Sequence, residues 1–189
     1  MDKRLDKLFS KIMAIIKKSK VPEDPLHAKD TLEILLLLAP DASIPLQIAA
    51  LGHDIERALP DTIKAKRASF PNYDLFKLAH SENSARILKA LVLTHGLSKD
   101  IANKVYKIVV AHEFGGFFEA DLLKEADSLS FFNTNLPFYK KRESEEEVIR
   151  RIRWGLKRLG KRAIKILPDF TNDSLVLQER EKYIRFFQP

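Results

Sequence analysis

No cysteine occurs among the 189 residues. Disulfides, thiolate nucleophiles and Cys-type zinc sites are thereby excluded, and a reducing, cytoplasmic setting is expected. Glycine is scarce, at six residues, and the pair Gly115-Gly116 follows no strand pattern. It therefore reads as a tight corner and not as a phosphate-cradling loop. Long apolar runs are missing too. The longest, ILLLLA at residues 34–39, is far too short for a bilayer, so no transmembrane segment is expected. The opening stretch DKRLDKLF has no apolar centre, so no signal peptide is expected. No segment alternates with the period of a strand, and hairpin signals, internal repeats and low-complexity linkers are absent.

What is present is helical periodicity. Leu5, Leu8, Phe9, Ile12, Ile15 and Ile16 fall on one helical face. Residues 24–39 begin at Asp24-Pro25 and stop at Pro40, and a further helix over 43–59 begins at Ser43 with Pro45 in its first turn. Helices are also expected over 74–95, ending at Gly96; over 98–114, opening at Ser98; and over 119–132. One long basic helix over 144–167 and a last one over 171–187 complete the chain. The expectation is an all-α, single-domain bundle of about eight helices. Residues 1–139 form its core, and residues 140–189 form a helical extension packed on the same domain.

The charge of +7 is local. Residues 140–165 hold 11 Lys/Arg against 4 Glu, and the remainder of the chain is neutral. Ile152, Leu156, Leu159 and Ala163 form an apolar stripe there, and Arg150, Arg151, Arg153, Lys157, Arg158, Lys161, Arg162 and Lys165 fill the other positions. This reads as an amphipathic helix docked on the bundle with a solvated basic face. Nucleic acid is the alternative partner, not favoured because no nucleic-acid-reading pattern is present.

The histidines carry the chemistry. His27, His53, His80 and His112 fall on four different helices, each near an apolar face, and Asp54 and Asp127 also have apolar neighbours. Burying imidazoles and carboxylates is costly unless something satisfies them, and one divalent cation can do so for all together. His53 and Asp54 are adjacent, about 100° apart on a regular helix. As core residues they make little sense; as two ligands bracketing one ion they make good sense. His95, beside Gly96, is expected to cap carbonyls and stays outside the set.

The order His27, His53-Asp54, Asp127, with the last in ADSLSFF, resembles the HD-domain superfamily of metal-dependent phosphohydrolases, whose signature is H…HD…D on separate helices. The resemblance spans about residues 20–135. It implies one ion held by His27, His53, Asp54 and Asp127. It also implies a second held by His80 and His112 with Asp54 bridging, which counts Asp54 among the catalytic residues; alternatively His80 and His112 bind substrate phosphate. Mn, Fe, Co, Ni or Zn suits imidazole and carboxylate ligands, at one or two ions per chain. Such an ion makes hydroxide available near neutral pH for attack on phosphorus. Where some members of that superfamily carry an acidic residue one turn after the doublet, this chain has Arg57, with Glu56 beside it. Glu113 is the alternative acid–base candidate.

The expected substrate is a small phosphorylated compound such as a nucleotide, and it needs cations. Arg57 lies four residues past His53, Lys77 three before His80, and Arg142 follows the Asp127 helix; Asn83, three past His80, is a further substrate-binding candidate. The aromatic stretch SFFNTNLPFY either packs in the core or walls the pocket. Two other functions are open: an HD-type di-iron oxygenase with the same six ligands, and a non-catalytic nucleic-acid-binding module that uses the basic helix.

Overall fold

The computed structural model describes residues 2–187, the side chain of Phe187 excepted, and every regular element among them is helical. α1 (Lys3–Ile16) is capped by Asp2, whose carboxylate accepts from the Arg4 N–H, and it buries Leu8, Ile12 and Ile16. α2 (Asp24–Leu38) carries Pro25 in its first turn. α3 (Ile44–Gly52) is the axis of the bundle. Pro45, Leu46, Ile48, Ala49, Ala50, Leu51 and Gly52 are all buried on it. It packs against α1, α2, α5 (Lys99–Ala111) and α6 (Phe118–Ser130). α4 (Tyr73–Thr94) runs beside α5 and ends at Gly96, whose φ of 74° is one that glycine adopts without strain. Asn72 and Ser98 cap α4 and α5 by accepting from the N–H of Leu75 and of Ile101.

α6 continues through a π-helical turn, Phe131–Asn135, into α7 (Leu136–Arg142). Pro137 has no N–H to continue the ladder, and the Thr134 hydroxyl donates to the Ser130 carbonyl at 2.8 Å, so the turn widens. α8 (Glu145–Lys157), α9 (Lys161–Ile166) and α10 (Ser174–Phe187) follow. Val148, Ile152, Leu156, Ala163, Leu167 and Val176 belong to the same apolar cluster as Leu8, Ile48 and Leu88. The extension therefore shares the core of the bundle. No helix among the described residues is long and apolar enough to cross a membrane.

Two expected helices are each broken. The helix expected over 43–59 ends at Gly52, and a 3₁₀ turn, Ile55–Ala58, follows it. Pro60 biases Leu59 away from helical geometry, and the Glu56 N–H leaves the ladder to donate to Ser84 Oγ at 3.3 Å. The basic helix expected over 144–167 divides at Gly160. There the backbone is extended, with ψ of 173°, and the N–H donates to Glu125 Oε1 at 2.8 Å.

Gly52 matters for packing. A Cβ there would sit 2.5 Å from Leu88 Cδ2, inside the core. Gly52→Ala is expected to cost about 1–3 kcal/mol, and thermal unfolding of the variant measures the loss.

Candidate metal centre

The end of α3 explains the His-Asp doublet. His53 caps the helix, and Asp54 has already left it at φ −101° and ψ 14°. The side chains therefore do not diverge as on a regular helix: His53 Nε2 lies 3.9 Å from Asp54 Oδ1. His112 repeats the arrangement at the end of α5. Each ring directs Nδ1 at the carbonyl three residues back, His53 to Ala50 at 3.0 Å and His112 to Val109 at 2.6 Å. In the neutral ring Nδ1–H donates there, which leaves the Nε2 lone pair free. Both Nε2 atoms are buried without a hydrogen-bond partner.

His27, on the first turn of α2, directs Nδ1 to Ser130 Oγ at 2.9 Å and Nε2 to Asp127 Oδ1 at 3.1 Å. The imidazoles stand in a row, with ring centres 5.3 Å apart from His27 to His53 and 5.1 Å from His53 to His112. Two ligand sets result: His27, His53 and Asp54, and His53, His112 and Asp127, the ligand atoms of each lying within 4.8 Å of one another. Orphaned buried nitrogens are costly, at about 1–3 kcal/mol each, and imidazole with carboxylate is the donor set of a transition metal. These groups can hold a metal ion.

Burial pulls the His53 imidazole down, but Asp54 and Asp127 beside it outweigh this and raise it to about 9, so an ion binding there would displace a proton from the ring. Burial disfavours ionised Asp54 and Asp127 too. It is overcome at Asp54 chiefly by His53 and by the His80 hydrogen bond, and at Asp127 chiefly by Arg158; both stay well below the usual carboxylate range. His112 is pushed down by its complete burial, which keeps its ring neutral.

His80 and His112 do not share an environment. His112 joins His53 and Asp127, whereas His80 is gripped by two carboxylates: Nε2 lies 2.8 Å from Asp54 Oδ1, and Nδ1 contacts Glu56 Oε2. Glu56 is buried and also accepts from Asn83 Nδ2 at 2.8 Å. Asn83 thus supports Glu56 and does not line the cleft, a correction to its expected place at the substrate. Arg57 lines the cleft, though not from the face of His53, because α3 has ended. It bridges Asp54 Oδ2 and the buried Asp24 Oδ1, each at 3.0 Å. Arg142 pairs with the buried Glu23. Lys77 is buried, 3.5 Å from Glu113 Oε2, and burial pulls its ammonium down. His95 directs Nδ1 at the Leu91 carbonyl, as expected of a capping residue.

A cleft of about 1490 Å³ opens onto His27, Asp54, His80, Glu113 and Asp127, with α8 as its far wall. The basic face of α8 is therefore not simply solvated. Arg158 is buried, donating to Asp127 Oδ2 and Glu113 Oε2, each at 2.6 Å, and to Ser128 Oγ at 2.8 Å. Arg162 donates to the Leu38 carbonyl at 3.1 Å. Phe131 and Tyr139, from the aromatic stretch, line the cleft while Phe132 fills the core. The spacing Arg151, Trp154, Arg158 places three residues on one helical face, and that signal could have pointed to Arg158.

A family model described as a domain of unknown function, DUF4202, matches residues 10–177 and so takes in every residue of this centre. No curated protein and no solved structure matches the chain.

Removing Arg158 strands two carboxylates. Arg158→Leu is expected to cost about 3–5 kcal/mol in metal-free protein, and part of that loss should be recovered when Mn²⁺ supplies Asp127 with another cation. Thermal unfolding with chelator and with Mn²⁺ measures the difference; equal losses in the two conditions would remove Asp127 from the ligand set.

Proposed function

The chain belongs to the DUF4202 domain family, and from that starting point we propose that it is a metal-dependent phosphohydrolase of the HD type, acting on a small phosphorylated compound. The observation that carries this reading is the pair of orphaned, buried Nε2 atoms of His53 and His112, grouped with Asp54 and Asp127 beside a cleft that arginines and Lys77 line. His27, His53, Asp54, His112 and Asp127 would hold one or two ions of Mn, Fe, Co, Ni or Zn. When bound, such an ion supplies Lewis acidity and a hydroxide source near neutral pH.

The chain's own residues do the remaining work. Ser130 and the carbonyls of Ala50 and Val109 fix the ring orientations of His27, His53 and His112. Arg158 holds Asp127 by Oδ2, leaving Oδ1 toward His27 and His53. Glu56 orients His80 against Asp54. Glu113 lies on the cleft with Oε2 engaged by Arg158 and Lys77, so Oε1 is the atom that takes a proton from the substrate side. Burial raises the Glu113 carboxyl, but the charges around it outweigh this and keep the group ionised as a proton acceptor. Phosphate charge meets Lys77 and the arginines of α8.

Elemental analysis of the purified protein, followed by a phosphatase and phosphodiesterase panel with Mn²⁺, Co²⁺, Ni²⁺ and Mg²⁺, tests the reading. His53→Ala and Asp54→Ala should each lose metal retention and turnover while helix content stays nearly unchanged. Tight binding of a full equivalent by the double variant would overturn the site. His80→Ala separates two roles. A fall of about one ion per chain makes His80 a ligand, whereas unchanged stoichiometry with raised KM makes it a substrate contact.

A further inference from the structure

Trp154 is the chain's one tryptophan, half-buried on the cleft wall formed by α8. Cations crowd its ring: the Arg151 guanidinium at 4.0 Å from the centre, Arg158 at 4.5 Å and the Lys77 ammonium at 4.5 Å. Each contact alone is an ordinary cation–π attraction. Together they set like charges side by side where water is partly excluded, which is unfavourable unless anions balance them.

The balance is incomplete. Arg158 has Asp127 and Glu113. Lys77 has Glu113 Oε2, at 3.5 Å, an oxygen that Arg158 holds more closely. Arg151 contacts the rings of Phe131 and Trp154 and, among the described residues, makes no hydrogen bond or ion pair. Its neighbours in the cleft differ: Arg57, Arg142, Arg150 and Arg153 each hold a carboxylate. The Arg151 guanidinium and the Lys77 ammonium thus both lie against Trp154, and Arg151 feels Glu147 only at a distance. Arg158, against the same ring, links it to Glu113 and Asp127.

We propose that Arg151 and Lys77, set on Trp154, form a phosphate-binding subsite distinct from the metal-ligating cluster, and that it receives a second phosphate group of the substrate. The substrate class is then a small molecule with two phosphate groups, such as a phosphoanhydride or a bisphosphate. That assignment rests on the hydrolase reading, whereas the anion subsite rests on these side chains alone. Size agrees, since about 1490 Å³ exceeds what one phosphate monoester group fills.

Trp154 itself reports occupancy. Inorganic phosphate and pyrophosphate are titrated into the full chain at constant ionic strength with chelator present, and tryptophan fluorescence is read. A saturable change is expected, with pyrophosphate tighter than phosphate. Arg151→Gln should weaken pyrophosphate by roughly tenfold or more, the worth of a charge-assisted hydrogen bond. Arg151→Lys should retain part of the binding, and Lys104→Gln, a charge outside the cleft, should change it less than about twofold. His53→Ala should bind pyrophosphate as the parent does. Arg151-dependent binding in a protein that neither retains metal nor hydrolyses phosphate compounds overturns the hydrolase reading and supports the subsite. Equal affinity in parent and Arg151→Gln, or no binding by fluorescence and calorimetry, overturns the subsite. A single-stranded oligonucleotide that binds and is not displaced by pyrophosphate overturns the small-molecule assignment.

Discussion

Buried negative charge governs this molecule. Glu23, Asp24 and Glu56 are almost fully enclosed, and Asp54, Glu113 and Asp127 are nearly so. An enclosed carboxylate is stable only beside cations or donors. Each of these has its own: Arg142 for Glu23, Arg57 for Asp24 and Asp54, His80 for Glu56, Arg158 for Glu113 and Asp127. The arginines that sequence patterning offers to a substrate are largely committed to this internal neutralisation. What the carboxylates leave for a ligand at Trp154 is Arg151 and part of Lys77, with Arg67 and Lys157 elsewhere on the cleft.

The position of the centre follows from helix ends. α3 and α5 both stop at a histidine, and the backbone carbonyl three residues earlier fixes each ring. A ring tied to its own helix end holds its orientation without help from a flexible side chain. α6 adds Asp127 from within a regular helix and Ser130 from the turn before the helix widens. The widening brings Phe131 and Tyr139 to the cleft. The apolar cluster that spans core and extension then sets α8 against these groups.

Much of this was legible in the sequence, and the gaps have physical causes. Apolar periodicity marks α1, Pro or Ser starts mark α2, α3 and α5, and Gly96 marks the end of α4, because those signals are local. His27, His53, Asp54, His112 and Asp127 stand out as polar groups in apolar company, and the fold gathers them. The breaks at Gly52 and Gly160 were not legible, since a hydrogen bond to Ser84 in one case and to Glu125 in the other decides them across the fold. Asn83 was misplaced, and the ion pairs of Arg57 were missed, for the same reason: their partners are carboxylates whose burial only the tertiary structure reveals. Arg158 was hidden among solvated look-alikes in a segment where 11 of 26 residues are basic.

The Arg158 bridge also constrains the order in which the chain acquires structure. Residues that supply Glu113 and Asp127 leave the ribosome before α8 does. Until α8 docks, a bundle formed from the earlier helices would carry two clustered carboxylates with no guanidinium between them. Docking of α8 supplies that guanidinium, so closing the cleft wall and neutralising Glu113 and Asp127 are a single step.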